Sequence, residues 1–185
     1  MDDIKIDPII FQQRELHPQG PFAAVCVDII DLGMRVKDFQ GKKKAAHTCA
    51  IVFSTGKTSK EGYALDLSQE FTISLHEKAT MTKFLEAWRG QVFSDVEKGS
   101  SFSLSSFAQK PALISVVHRK SKDGTKTYAN IGAVMPLPEG MKVPDVVTYG
   151  RAPYWAKRKE QYAAEFAAYM SAPPEDEHDG EPVPF

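Results

Sequence analysis

The sequence predicts a mainly β protein: a five-stranded, OB-fold-like barrel with a helix between strands three and four, followed by a C-terminal helix. Three observations predict it. Five segments are rich in β-branched residues or alternate apolar with polar. One stretch between the third and fourth repeats apolar residues at helical spacing. A last helical stretch lies between Pro153 and the Pro173–Pro174 pair. Strand, strand, strand, helix, strand, strand is the element order of a small Greek-key barrel of this kind, whose helix plugs one end.

Each element has its own signal. Residues 1–21, with Pro8, Pro18, Gly20 and Pro21, read as an irregular lead-in. Phe22–Leu32 (FAAVCVDIIDL) reads as a long first strand. Gly33–Lys44 reads as a basic connection, Ala45–Thr55 as the second strand, and Gly56–Gly62 as a polar loop. In Glu70–Leu75, Phe71, Ile73 and Leu75 alternate onto one side, the mark of a half-buried third strand. Over Lys78–Arg89, Met81, Phe84, Leu85 and Trp88 make one apolar helical stripe, and Gly90 stands where a C-terminal cap belongs. A Ser-rich connection leads to strands at Ala112–Arg119 and Thr127–Met135, joined by Ser121–Lys126 with its Asp-Gly turn. The barrel domain is expected over 22–150 and the C-terminal helix over 151–172, leaving 173–185 as a tail.

Charge divides the chain. The 185 residues carry 23 Lys+Arg and 24 Asp+Glu, a net of −1. Residues 173–185 hold five of the acids and no Lys or Arg; without them the net is +4, and without the lead-in as well it is +6. A basic body attracts polyanions, and an acidic tail with four prolines cannot fold alone. No run of about 18 apolar residues exists to span a membrane. The first residues, MDDIKIDPII, place acids where a secretory leader needs bases. Two cysteines make no disulfide framework, and no Cys/His set has zinc spacing. The expectation is a cytoplasmic chain without metal or cofactor.

Two stretches carry resemblances. The acidic tail ending in Pro184-Phe185 resembles that of bacterial single-stranded DNA-binding proteins. It departs from their pattern at Pro182 and Val183, which push the acids further from the end. FTISLHEKATMTKFLEAWRG and KTYANIGAVMPLP resemble a group of small bacteriophage proteins encoded beside replication and recombination functions. Together the resemblances imply a phage single-stranded DNA-binding protein. Its tail (Glu175, Asp176, Glu177, Asp179, Glu181, Pro184 and Phe185) would recruit replication or recombination proteins and compete with DNA. The host cytoplasm is the implied location.

OB-folds bind nucleic acid across strands two and three, between the loops joining strands one to two and four to five. Those regions are the most basic in the body. The first holds Arg35, Lys37, Lys42, Lys43 and Lys44, with Phe39 among them. The second holds His118, Arg119, Lys120, Lys122 and Lys126, with Tyr128 beside them. Lysines at loop tips follow a flexible phosphate backbone, and aromatics between them stack on bases. Phe53, Tyr63 and His76 are secondary candidates.

Other features point nowhere comparable. Gly56-Lys57-Thr58 resembles the end of a phosphate loop, but Ile51 occupies the required first glycine. The five histidines are scattered, and Cys26 and Cys49 read as reduced core residues. Asp28 and Asp31 look out of place in an apolar strand. The last helix gathers Trp155, Tyr162, Phe166 and Tyr169 near one face and Lys157, Arg158 and Lys159 near its start. Packing on the barrel, pairing into a homo-oligomer and contact with DNA are its three readings. Function is expected to be nonspecific single-strand binding without catalysis. A protein-interaction adaptor for a phage recombinase or polymerase, and an enzyme, are the alternatives.

Overall fold

The computed structural model of the chain describes residues 15–146 and 152–172. Five antiparallel strands form one sheet: β1 (Gly20–Phe39), β2 (Lys42–Ser54), β3 (Leu67–Thr72), β4 (Pro111–Lys120) and β5 (Thr127–Met135), in the order β3-β2-β1-β4-β5. Helix α1 (Thr80–Arg89) lies between β3 and β5, α2 (Asp95–Gly99) follows it, and α3 (Ala152–Ser171) packs on β1. No pairing joins the edge strands β3 and β5 among the described residues, so the sheet is open there rather than a closed barrel. Those edges nonetheless approach, and both line one cavity of about 240 Å³.

Three sequence expectations need correction. The basic stretch after Leu32 is not a loop. β1 and β2 run on through it as a long hairpin, pairing Lys37 with Lys44, Asp38 with Lys43 and Phe39 with Lys42. The turn is two residues, Gln40 (φ 55°) and Gly41 (φ 79°), both left-handed as a primed hairpin turn demands. The Asp38 carboxylate accepts the Gly41 N–H at 2.9 Å. Second, β3 begins at Leu67 and ends at Thr72, because its partner residues on β2 run from Phe53 to Thr48. Third, the Ser-rich connection holds α2 and a 3-10 turn, Leu104–Phe107. A capping box starts α2, with Ser94 and Glu97 exchanging side-chain and backbone hydrogen bonds.

The main core lies between one sheet face and α1. Ala24, Cys26, Ile51, Phe53, Leu67, Phe71, Ile114 and Ile131 meet Met81, Phe84, Leu85 and Trp88, so the expected helical stripe is core. The Trp88 indole N–H donates to the Pro111 carbonyl at 2.9 Å, tying α1 to the start of β4. Gly90 ends α1 at φ 73°, its N–H bonded to the Glu86 carbonyl, and a Cβ there would meet Pro136 at 2.9 Å.

The opposite face carries α3. Trp155 and Tyr162, two turns apart, are buried against Leu32, Ala50 and Val52. Burying two such aromatics contributes roughly 1.5–3 kcal/mol each. β2 is therefore apolar on both faces, which explains its unbroken run from Cys49 to Phe53. The two misfit aspartates sit at irregularities of β1, between Cys26 and Asp28 and between Asp31 and Gly33. Asp31 accepts from the Gly33 N–H and from His47 Nε2, each at 2.8 Å, and the first of these leads in holding its carboxyl below the ordinary value. No helix among the described residues is long and apolar enough to cross a membrane.

Candidate nucleic-acid interface

The register places the two basic regions at opposite ends of β1. Gly20 pairs with Val116, so the turn after Lys120 projects beyond the start of β1, while Gln40 and Gly41 project beyond its end. The sequence expectation set the two regions on either side of one binding face. What joins the regions is the outer face of the sheet, across the approach of β3 to β5.

Glu70 is the hub. On β3, Leu67 and Phe71 point into the core, so Ser68, Glu70 and Thr72 alternate outward. Arg35 reaches across the intervening β2 to bond Glu70 Oε2 at 3.1 Å. Arg158 of α3 donates to Oε1 at 3.2 Å, and the Tyr162 hydroxyl donates to Oε2 at 2.7 Å. Both guanidinium groups also lie over the Tyr162 ring, at 4.8 and 5.0 Å from its centre. Burial first, and then the bond to Glu70, push the Tyr162 phenol up to about 12. One turn of strand further on, Lys37 donates to Thr72 Oγ1 at 2.7 Å. Burial, followed by the Arg35 charge, holds its ammonium below the ordinary lysine value.

On the other side of the gap, Arg119 lines the same cavity as Ser68, Gln69 and Glu70, with Asn130 and Ile131 of β5. Arg119 is the cross-strand partner of Tyr128, and both are exposed. The β4–β5 turn beyond them is internally satisfied. Asp123 accepts from Ser121, and from the Thr125 N–H and hydroxyl at 3.0 and 2.8 Å. Those bonds, Ser121's foremost, hold its carboxyl at about 2. The carboxylate is thus spent on the turn, leaving Lys122 and Lys126 exposed.

The expected site residues divide accordingly. Lys42, Lys43, Lys44, Arg119, Lys120, Lys122, Lys126 and Tyr128 are exposed. Arg35 and Lys37 are half-buried and already bonded to Glu70 and Thr72. His118 is occupied: Nε2 donates to the His17 carbonyl at 2.7 Å and its backbone N–H to Gln19, holding the segment ahead of β1. Phe53 is a correction. It is 0% exposed and packed 4.9 Å from the Trp88 ring, so no face is left for a base. The side chain of Phe39 and the tail residues Glu175, Asp176, Glu177, Asp179, Glu181, Pro184 and Phe185 lie outside the described residues. Burial pushes the thiol of Cys26 up to about 12 and that of Cys49 to about 11, consistent with inert core positions.

Residues the sequence did not single out are Glu70, Ser68, Gln69 and Asn130. For Ser68, Glu70 and Asn130 the one legible signal was outward alternation beside Phe71 and Ile131; Gln69, in phase with Leu67 and Phe71, carried none. No family model matches this chain, and no curated protein matches it.

Proposed function

We infer that the chain binds single-stranded DNA through its phosphate backbone and by base stacking, with little sequence preference, and without catalysis. The observation that carries this is the continuity of the cationic outer face. It runs from Lys42–Lys44 through Arg35 and Arg158 about Glu70 to Arg119, with Tyr128 exposed beside it. Flexible cations interleaved with an accessible ring suit a strand whose bases are unpaired. A duplex offers no such bases. The strand order supports an OB-type barrel, an architecture that is itself partly open, with β3 and β5 as its unpaired edges.

The tail fits the same reading. The Tyr169 hydroxyl donates to the Lys43 carbonyl at 3.2 Å, so the last turns of α3 lie beside the basic hairpin, and the acidic residues follow α3 in the sequence. A polyanion tethered to α3 competes with DNA at high effective concentration. Its Pro184-Phe185 end would recruit replication or recombination proteins of a phage. An adaptor for such proteins is the second reading; exposed Val92 and Val96, flanking the start of α2, favour it.

Titration of labelled oligo-dT and a matched duplex at about 50 and about 200 mM salt tests the function. Tight, salt-dependent binding of the single strand over the duplex is expected. Equal binding of both, or none, overturns it in favour of the adaptor.

A further inference from the structure

The cavity between β3 and β5 has a composition that phosphate neutralisation does not need. Beside Glu70 and Arg119 it is lined by the hydroxyl residue Ser68 and the amide residues Gln69 and Asn130. Among the described residues, none of the side chains of Ser68, Gln69, Arg119 and Asn130 makes a hydrogen bond. Glu70 is saturated by Arg35, Arg158 and Tyr162. Arg119 and Tyr128 stand opposite each other, as do Val117 and Asn130, so Arg119, Tyr128 and Asn130 share one outward face of the β4–β5 pair. An exposed ring thus adjoins a polar recess carrying one guanidinium fork and two amides.

The geometry points to a pocket for a single guanine base within the bound strand. The recess, at about 240 Å³, falls below the roughly 300–1,000 Å³ of pockets that take whole drug-sized ligands, which suits one base rather than a nucleotide. Unpaired bases are held by stacking on an aromatic ring and read by hydrogen bonds at their edges. Tyr128 supplies the ring. Guanine presents two adjacent acceptors, O6 and N7, to an arginine fork, and an amino donor at N2 that an Asn or Gln carbonyl accepts. Adenine would set its N6 amino group against the donors of Arg119, and thymine offers O4 alone on that edge. A strand held mainly by its backbone would therefore be read at one position. This rests on the single-strand reading above and adds a base preference to it.

The test uses the full chain and four labelled oligonucleotides: all-dT, and dT with one central dG, dA or dC. The dG strand should bind tighter than all-dT by on the order of fivefold or more, and dA and dC should not. Arg119→Lys keeps the charge but loses the fork, and Asn130→Ala loses an amide. In each, the ratio of dG to all-dT affinity should fall toward one, with folding checked by thermal melting. A wild-type ratio near one, a preference for dA, or a dG preference that survives both substitutions overturns the pocket while oligo-dT binding stands. Failure of every strand to bind overturns the pocket and the single-strand reading together.

Discussion

Replacing Glu70 with alanine removes the acceptor that Arg35, Arg158 and Tyr162 share, and its effects on stability and on DNA binding should have opposite signs. The two ion pairs are partly solvated, with side chains 33%, 31% and 21% exposed for Arg35, Arg158 and Glu70. Each is therefore worth only about 0.5–1 kcal/mol after screening. The Tyr162 hydroxyl is different, since Tyr162 is 1% exposed. Orphaning it costs about 1–3 kcal/mol. The total is roughly 2–5 kcal/mol, or a fall in Tm of roughly 4–20 °C for a chain of this size. Meanwhile a negative charge leaves the cationic face. Single-strand affinity should rise, and the slope of log affinity against log salt should steepen by up to about 0.7. Glu70→Gln keeps an acceptor, so it should show the same gain in binding with a smaller loss of Tm. Thermal melting and fluorescence anisotropy with labelled oligo-dT, read well below Tm, measure both. An unchanged Tm, or weaker binding in both variants, would refute the placement of Glu70 at the centre of the interface.

Two further outcomes are expected. Converting Lys42, Lys43 and Lys44 together to alanine should weaken single-strand binding and flatten the salt slope by up to about 2, at about 0.7 per lost phosphate contact; an unchanged slope takes the hairpin out of the site. The Tyr162 phenol is raised from 10.0 to about 12 in the folded chain. Its contribution is therefore whole below pH 10 and lost as pH climbs to about 12. Denaturant unfolding should show stability declining across that window, and Tyr162→Phe should remove this part of the decline; an identical decline in the variant would refute the assignment.

Local chemistry explains which parts of the fold were readable. Thr127–Met135 is β5 to the residue, because the Asp123-Gly124 turn fixes where the second arm of the hairpin resumes. The α1 stripe and its Gly90 cap were equally local. The long β1–β2 hairpin was hidden by three successive lysines, which are poor strand formers, and by Gln40 at a turn position where Asn or Asp is the usual signal. β3 drifted because the period-two pattern continues through Ile73 and Leu75, while pairing with β2 alone decides where the ladder stops. The Glu70 hub was beyond reach. Its partners lie 35, 88 and 92 residues away, so nothing short of the folded sheet brings them together. Phe53 misled for a related reason: an aromatic in a strand near a basic loop has the same sequence pattern whether it faces solvent or Trp88.

The central claim is that the two basic regions act as one strand path across the approach of β3 to β5. Mapping backbone amide shifts by NMR as oligo-dT is added tests it most directly. The account predicts that residues 35–44, 68–70 and 119–130 shift together with one saturation curve, while Val92–Gly99 stays still. Shifts confined to one hairpin, or centred on Val92 and Val96, would contradict it.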